Sequence, residues 1–290
     1  MNKYTQLYIN GSSLSCGGAL GYQSAAWRYY TTELDIENWA TQKELSYGNI
    51  LGSMMNLEVI NEAKEGGGLD RLIRKTYDFI STKTLEELSK ILFIFDIPLQ
   101  PARFEVYSRK HSDYFAVSIS YKGGSDVNQY DEIEISRDWH DSWFSKVSFS
   151  RDFSSLHSTI TFEELKENDE LLNKIVDFYI DYDVETKRLL RQLTMFYSFL
   201  DKLKISYIRD PNETIFASSI NFGDRNNTAE LIKKLKLFDS TNENVINLPT
   251  IWNLAEKKKW RILDETPVYD AHLGYFGNKK YAEYLYEKLK

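Results

Sequence analysis

Alternating apolar and polar positions mark a first strand at residues 4–9. It runs straight into a turn of small residues, Asn10-Gly11-Ser12-Ser13-Leu14-Ser15-Cys16-Gly17-Gly18. Glycine lets the backbone bend sharply there, and serine sets a short hydroxyl on the bend. Residues 39–55 carry Trp39, Leu45, Ile50, Leu51 and Met54 at roughly helical spacing and predict a helix. A short strand at 57–61 ends in Glu65-Gly66-Gly67-Gly68, and a helix follows at 69–80 with Leu69, Leu72, Ile73, Tyr77 and Ile80 on one face. After a helical turn at 85–88 comes the most apolar run, Ile91-Leu92-Phe93-Ile94-Phe95. A near-continuous run of this length fits a central parallel strand buried on both faces. Pro98 and Pro101 end its ladder. Repeated strand–turn–helix units in this order predict a parallel sheet.

From residue 104 the pattern changes to short alternating strands, at 106–107, 114–121, 132–135 and 146–149, with a turn at Gly123-Gly124-Ser125-Asp126. This reads as a β-rich insertion or lid over 104–160, rich in Tyr, Trp and Phe. Helices return at 161–166 and 171–203, the second burying Leu189, Leu190, Leu193, Met195, Phe196 and Phe199. A strand at 205–208 and helices at 229–237, 251–256 and 281–290 complete the chain. No internal repeat or low-complexity linker interrupts it. The expectation is one domain over 1–290 with the insertion inside it, a length that fits a single large domain.

Composition narrows the classes of function. Hydrophobic residues make up 42% and aromatics 14%, enough for a substantial core. The 20 tyrosines and 6 tryptophans also suit surfaces that face carbohydrate or a partner protein. A net charge of −7 and a pI near 5.3 argue against nucleic acid as the main partner. No apolar run is long enough to span a bilayer, so no membrane partner is expected. The first residues lead directly into a strand, with no visible signal peptide. The lone cysteine, Cys16, excludes an internal disulfide. A reducing, cytoplasmic setting is the default expectation, and a virion or a non-classical export route would look the same.

Two stretches could carry chemistry. A strand, a tight turn, a hydroxyl and then a helix is how an open α/β sheet presents a nucleophile at the carboxyl end of a strand. The plain alternative is a Gly/Ser turn. Near the end, Asp270-Ala271-His272 precedes an amphipathic helix. A carboxylate two residues from an imidazole can orient it, and the imidazole can then take a hydroxyl proton. The plain alternative is a capping aspartate beside a surface histidine. The glycines at 66–68 leave backbone N–H groups able to face an anion, or form a helix-entry loop with no ligand. They match neither a Walker loop nor a dinucleotide fingerprint. Cys16 is a possible thiol nucleophile, but a buried structural cysteine is the commoner case. His111, His140 and His157 lack metal-ligand spacing, and no cofactor is expected.

Taken together, these stretches resemble the SGNH/GDSL hydrolase superfamily. Gly11-Ser12-Ser13-Leu14-Ser15 looks like the GDSL block, with Ser13 at the nucleophile position and Ser12 where the family has aspartate. Val59-Ile60-Asn61 through Gly67-Gly68 looks like the second block, and the loop after Phe95 occupies the place of the third. Asp270-Ala271-His272, followed by Gly277 and a terminal helix, looks like the last block, with Asp-x-His in place of Asp-x-x-His. The third block's Gly-x-Asn-Asp is absent, and the loop reads Pro98-Leu99-Gln100-Pro101-Ala102-Arg103.

The resemblance implies a three-layer α/β/α sandwich around a parallel, flavodoxin-like sheet. It implies a serine esterase using Ser13, His272 and Asp270. The oxyanion would be held by the backbone N–H groups of Ser13 and Gly67, with Gly66 and Gly68 as register alternatives, and by Gln100 as a third donor. Arg103 is a candidate substrate-binding cation. Losing one oxyanion donor costs about 100- to 1000-fold in rate, which weakens an enzyme without abolishing it. The expected partner is a small-molecule or glycan ester, and O-acetyl groups on carbohydrate suit the aromatic insertion. The rival reading is a non-catalytic binding or structural protein on the same fold, such as a virion component with its own assembly partner. The absent asparagine and the insertion favour that rival.

Overall fold

Successive side chains of a strand point to opposite faces, so a strand that is apolar throughout needs cover on both sides. In the computed structural model of the protein this cover is what organises the chain. The structure describes residues 3–18, 20–21, 28–29, 32, 42–64, 67–97, 103–108, 113–118, 148–151, 182–209, 243–249, 251–267 and 272–290. Strand β1 is Gln6–Asn10, β2 is Glu58–Asn61 and β3 is Ile91–Phe95. Further on, β7 is Tyr207–Arg209 and β8 is Val245–Asn247. These make one five-stranded sheet in the order β2-β1-β3-β7-β8, and every pairing is parallel.

The helices lie on both faces. Helix α1 is Ser13–Cys16, α2 is Tyr47–Met55, α3 is Leu69–Ser81 and α4 is Leu85–Ser89. Helix α5 is Tyr182–Lys202, α6 is Ile251–Lys258, α7 is Ile262–Glu265 and α8 is Tyr275–Leu289. Tyr8, Phe93, Phe95 and Tyr207 project into one core with Leu69 and Leu72 of α3 and Leu189, Leu193 and Phe196 of α5. Their neighbours Leu7, Ile9, Leu92, Ile94 and Ile208 project into the other, against Leu51 of α2, Ile251 and Leu254 of α6, and Leu285 of α8. The result is a three-layer α/β/α sandwich, as expected. Rings tighten the first core, with Tyr8 stacked on Phe79 at 4.4 Å between centroids.

A second sheet is antiparallel and three-stranded. Its strands are β4, Arg103–Ser108, β5, Asp113–Ser118, and β6, Ser148–Arg151, in that order. Arg74 of α3 ties it to the sandwich. The guanidinium donates to both oxygens of Glu105 at 2.9 and 2.7 Å and lies 4.0 Å over the Tyr114 ring. A paired guanidinium and carboxylate in this fork geometry is the strong form of an ion pair.

Several bounds differ from the sequence expectation. The helix expected at 39–55 begins at Tyr47, because residues 42–45 turn and Ser46 is extended at φ −70°, ψ 150°. The last helix begins at Tyr275, because the Glu265 carboxylate accepts the N–H groups of Phe276 and Gly277 from a distant stretch. β8 and α7, each only a few residues long, had no sequence signal. The elements expected at 132–135, 161–166 and 229–237, and the first part of the one at 171–203, lie outside the described residues.

Candidate active site

The order β2-β1-β3 places a topological switch point between β1 and β3. The chain leaves β1 toward one edge and returns through β3 on the other side. Sheets of this kind bind ligands at the carboxyl ends of such strands. β1 ends at Asn10, α1 begins after Gly11 and Ser12, and Ser13 is its first residue. A first helical residue has no intrahelical acceptor for its N–H. The Ser13 N–H makes no hydrogen bond among the described residues. Ser13 itself is only 8% exposed.

His272 comes from the stretch between α7 and α8. Its carbonyl accepts the Ile262 N–H at 2.8 Å, Leu273 bridges Arg261, and the Gly274 N–H donates to the Trp260 carbonyl at 3.0 Å. Asn278, fully buried in α8, holds the same stretch from the other side. Its amide donates to the carbonyls of Leu273 at 3.3 Å and Gly274 at 3.0 Å, and its oxygen accepts the Tyr47 N–H at 2.9 Å. The imidazole is thereby fixed over the serine turn, with His272 Nε2 2.8 Å from Ser13 Oγ. Gly18 closes the third side. A Cβ on it would stand 2.8 Å from Ser13 Cβ and 3.1 Å from His272 Cδ2.

Other polar groups brace the turn from below. Ser15 Oγ and Tyr47 Oη share a 2.7 Å hydrogen bond. The Asn61 amide donates to the Ser15 carbonyl at 3.2 Å, and the Asn61 carbonyl accepts from Lys43 Nζ at 2.8 Å. Burial pulls the Lys43 ammonium below its ordinary pKa. Cys16 is fully buried, with its Sγ 3.5 Å from the Ser13 carbonyl and 3.6 Å from Gln42 Nε2, the packing of a structural thiol.

The residues named from the sequence fall partly within the described residues. Ser13 and His272 meet. Asp270, Gln100 and Gly66 lie outside the described residues. Arg103 opens β4, paired with Ser118, and its side chain also lies outside them. Gly67 is another of the named oxyanion donors. It lies beside the serine turn, since the Lys64 N–H donates to the Gly11 carbonyl at 3.1 Å. Its own N–H, however, is given to the Lys64 carbonyl at 3.0 Å. Gly68, the register alternative, takes the extended position before α3 and donates to no acceptor among the described residues.

Two contributors were not singled out from the sequence. One is Asn278, which carries no local signal. The other is Asp96, buried just after β3, whose Oδ2 accepts the Ser12 N–H at 3.1 Å and the Ser12 hydroxyl at 2.7 Å. Its only signal was a carboxylate set directly after the most apolar strand. Burial pushes the Asp96 carboxyl above its ordinary pKa, while donors on Ser12 and Ser15 pull the other way. Among the described residues no cluster of His, Cys, Asp and Glu is arranged to hold a metal ion. No described helix is long and apolar enough to cross a membrane.

No protein-family model matches the chain, and no curated protein matches it. Among solved structures, one similar chain is a carbohydrate esterase whose active site is described as displaying divergent catalytic and non-catalytic binding functions. It aligns at 11% identity and a TM-score of 0.37, over 100% of this chain and 69% of that one. Another is an acetyl xylan esterase from the rumen bacterium Butyrivibrio proteoclasticus, also at 11% identity and a TM-score of 0.37, over 99% of this chain and 64% of that one. Likeness at this level bears on neither activity nor substrate.

Proposed function

We propose that the protein is a serine ester hydrolase of the SGNH type, with Ser13 as nucleophile and His272 as its base. The observation that carries this reading is the 2.8 Å separation of His272 Nε2 and Ser13 Oγ. That is hydrogen-bond reach for proton transfer, in a turn where the serine is held at a strand end. Ser13 Oγ attacks the ester carbonyl carbon, and its proton passes to Nε2. The tetrahedral oxyanion meets the Ser13 N–H, with Gly68 or Gln100 as further donors. Collapse breaks the acyl–oxygen bond, and the imidazolium returns its proton to the leaving alcohol. Water, deprotonated by the same imidazole, then releases the acid and restores Ser13. Asp270 is assigned to hold the imidazole tautomer, and Arg103 to bind substrate.

The substrate assigned is an O-acetyl group on carbohydrate. Its support is the aromatic content of residues 104–160, whose rings suit stacking on sugars. The test is acetate release from acetylated glycans and from a simple aryl acetate, comparing the native chain with Ser13→Ala. Ser13-dependent release from both supports the full reading. Release from the aryl ester alone removes the glycan assignment and keeps the hydrolase. The rival reading is a non-catalytic binding protein on this fold. Absence of release from either ester would make that rival the leading reading.

A further inference from the structure

The Ser13 turn needs something to hold it, and its own helix does not supply it. Ser12 stands at the N-cap position of α1, yet its hydroxyl makes no capping bond to that helix. The hydroxyl turns to the sheet instead and donates to Asp96 Oδ2, alongside the Ser12 N–H. Both donors of Ser12 therefore end on one carboxylate oxygen, 84 residues away in sequence. The backbone brings Asp96 there with little freedom. Its N–H donates to the Asn10 carbonyl at 3.1 Å, extending the β1–β3 ladder by one residue. Gly11 makes the approach possible, since a Cβ there would stand 2.6 Å from Asp96 Cβ.

Asp96 is buried, and no cation pairs with it among the described residues. A buried carboxylate is costly unless donors satisfy it, and charged acceptors make the stronger hydrogen bonds. Such a group in the layer directly behind the nucleophile is poorly suited to general stabilisation. It is well suited to holding the turn whose residues Ser12 and Ser15 donate to it.

We propose that Asp96 is a positioning residue of the site, acting through Ser12 to hold the Ser13 hydroxyl against His272. This rests on the hydrolase reading above. With Ser12 held, the Ser13 N–H and hydroxyl stay directed outward from the sheet end. Without the carboxylate, two buried donors of Ser12 lose their acceptor and the turn relaxes toward other partners. A displacement of about 1 Å at a reacting group costs on the order of 100-fold in rate.

The test uses a fluorophosphonate that phosphonylates serine hydrolases with loss of fluoride. It separates the maximal labelling rate, the apparent affinity and the fraction of chains that label. The variants are Asp96→Ala, Asp96→Asn, Ser12→Ala and the double variant Ser12→Ala/Asp96→Ala. A positioning role predicts that Asp96→Ala lowers the maximal rate about 10- to 100-fold with affinity unchanged. Asp96→Asn, a neutral acceptor of the same shape, recovers part of that rate. Ser12→Ala lowers the rate less, and adds nothing once Asp96 is alanine, because residues acting as a unit are not additive. Should Asp96→Ala fail to fold, Asp96→Asn and Ser12→Ala carry the test alone. Variants that label at the native rate, with only a smaller labelling fraction, overturn the proposal, since that is what a purely structural role gives. A native chain that does not label at all overturns the hydrolase reading and the positioning role with it.

Discussion

His272 Nε2 lies 2.8 Å from Ser13 Oγ, although 259 residues separate the two in sequence. The pair is assembled by opposite ends of the chain: the turn after β1 supplies the hydroxyl and the stretch before α8 supplies the imidazole. A general base in this position contributes about 10²- to 10⁴-fold. His272→Ala should therefore lower kcat on an aryl acetate by that range while the fold is kept. The double variant with Ser13→Ala should fall no further than the serine variant alone. Steady-state kinetics on the three proteins checks this.

Gly18 should tolerate no side chain. An added Cβ would stand 2.8 Å from Ser13 Cβ and 3.1 Å from His272 Cδ2, so one of the two has to move. Gly18→Ala is expected to cost more than about 10-fold in kcat, because near-attack geometry is lost with small shifts. The melting temperature should change little by comparison. Activity at the native level would contradict the assigned placement of the imidazole.

Asn278 should act on the site through stability of the histidine stretch. Its amide donates to the Leu273 carbonyl and to the Gly274 carbonyl, which the Asn278 backbone N–H also reaches, and its oxygen satisfies the Tyr47 N–H. Each buried group left without a partner costs about 1–3 kcal/mol. Asn278→Ala should lower the unfolding free energy by about 2–4 kcal/mol. Asn278→Asp should also be destabilising, because a carboxylate cannot donate to two carbonyls. Urea denaturation of both variants checks the pair of expectations.

Asp96 gives a pH dependence with a definite sign. Burial raises its carboxyl pKa above the ordinary value, so the folded chain holds that proton to higher pH than the unfolded chain does. Its contribution to stability is fully present below the ordinary aspartate value of about 4 and is lost as pH rises through the folded pKa. The unfolding free energy of the native chain, measured relative to Asp96→Asn, should therefore fall as pH rises from about 4. A difference that grows over the same interval would reverse the assigned direction.

Much of the central sheet was legible because its signal is local. The run from Ile91 to Phe95 is apolar at every position, and the structure buries all five residues. Leu69, Leu72 and Ile80 announce α3 and its inner face. The serine turn and the histidine were legible as residue types at suitable places in the chain. What holds them was not. Asn278 lies 231 residues from the Tyr47 N–H it satisfies, and Asp96 lies 84 from Ser12. A single polar residue gives no periodicity, so its role exists only once the sheet order brings the ends together. Gly67 shows the converse. The residue type and place are visible in the sequence, but the partner of its N–H, the Lys64 carbonyl, is set by a local turn that the sequence does not announce. The early start of α8 has the same kind of cause, since the Glu265 carboxylate that caps it is supplied from α7.

The hydrolase reading requires Ser13 to be an activated nucleophile with His272 as its base. It is tested most directly by treating the folded native chain with a fluorophosphonate and mapping the adduct by peptide mass spectrometry. A single adduct on Ser13 is expected, lost in Ser13→Ala and strongly slowed in His272→Ala. No adduct on the folded chain, or an adduct on Ser13 formed equally fast without His272, would contradict it.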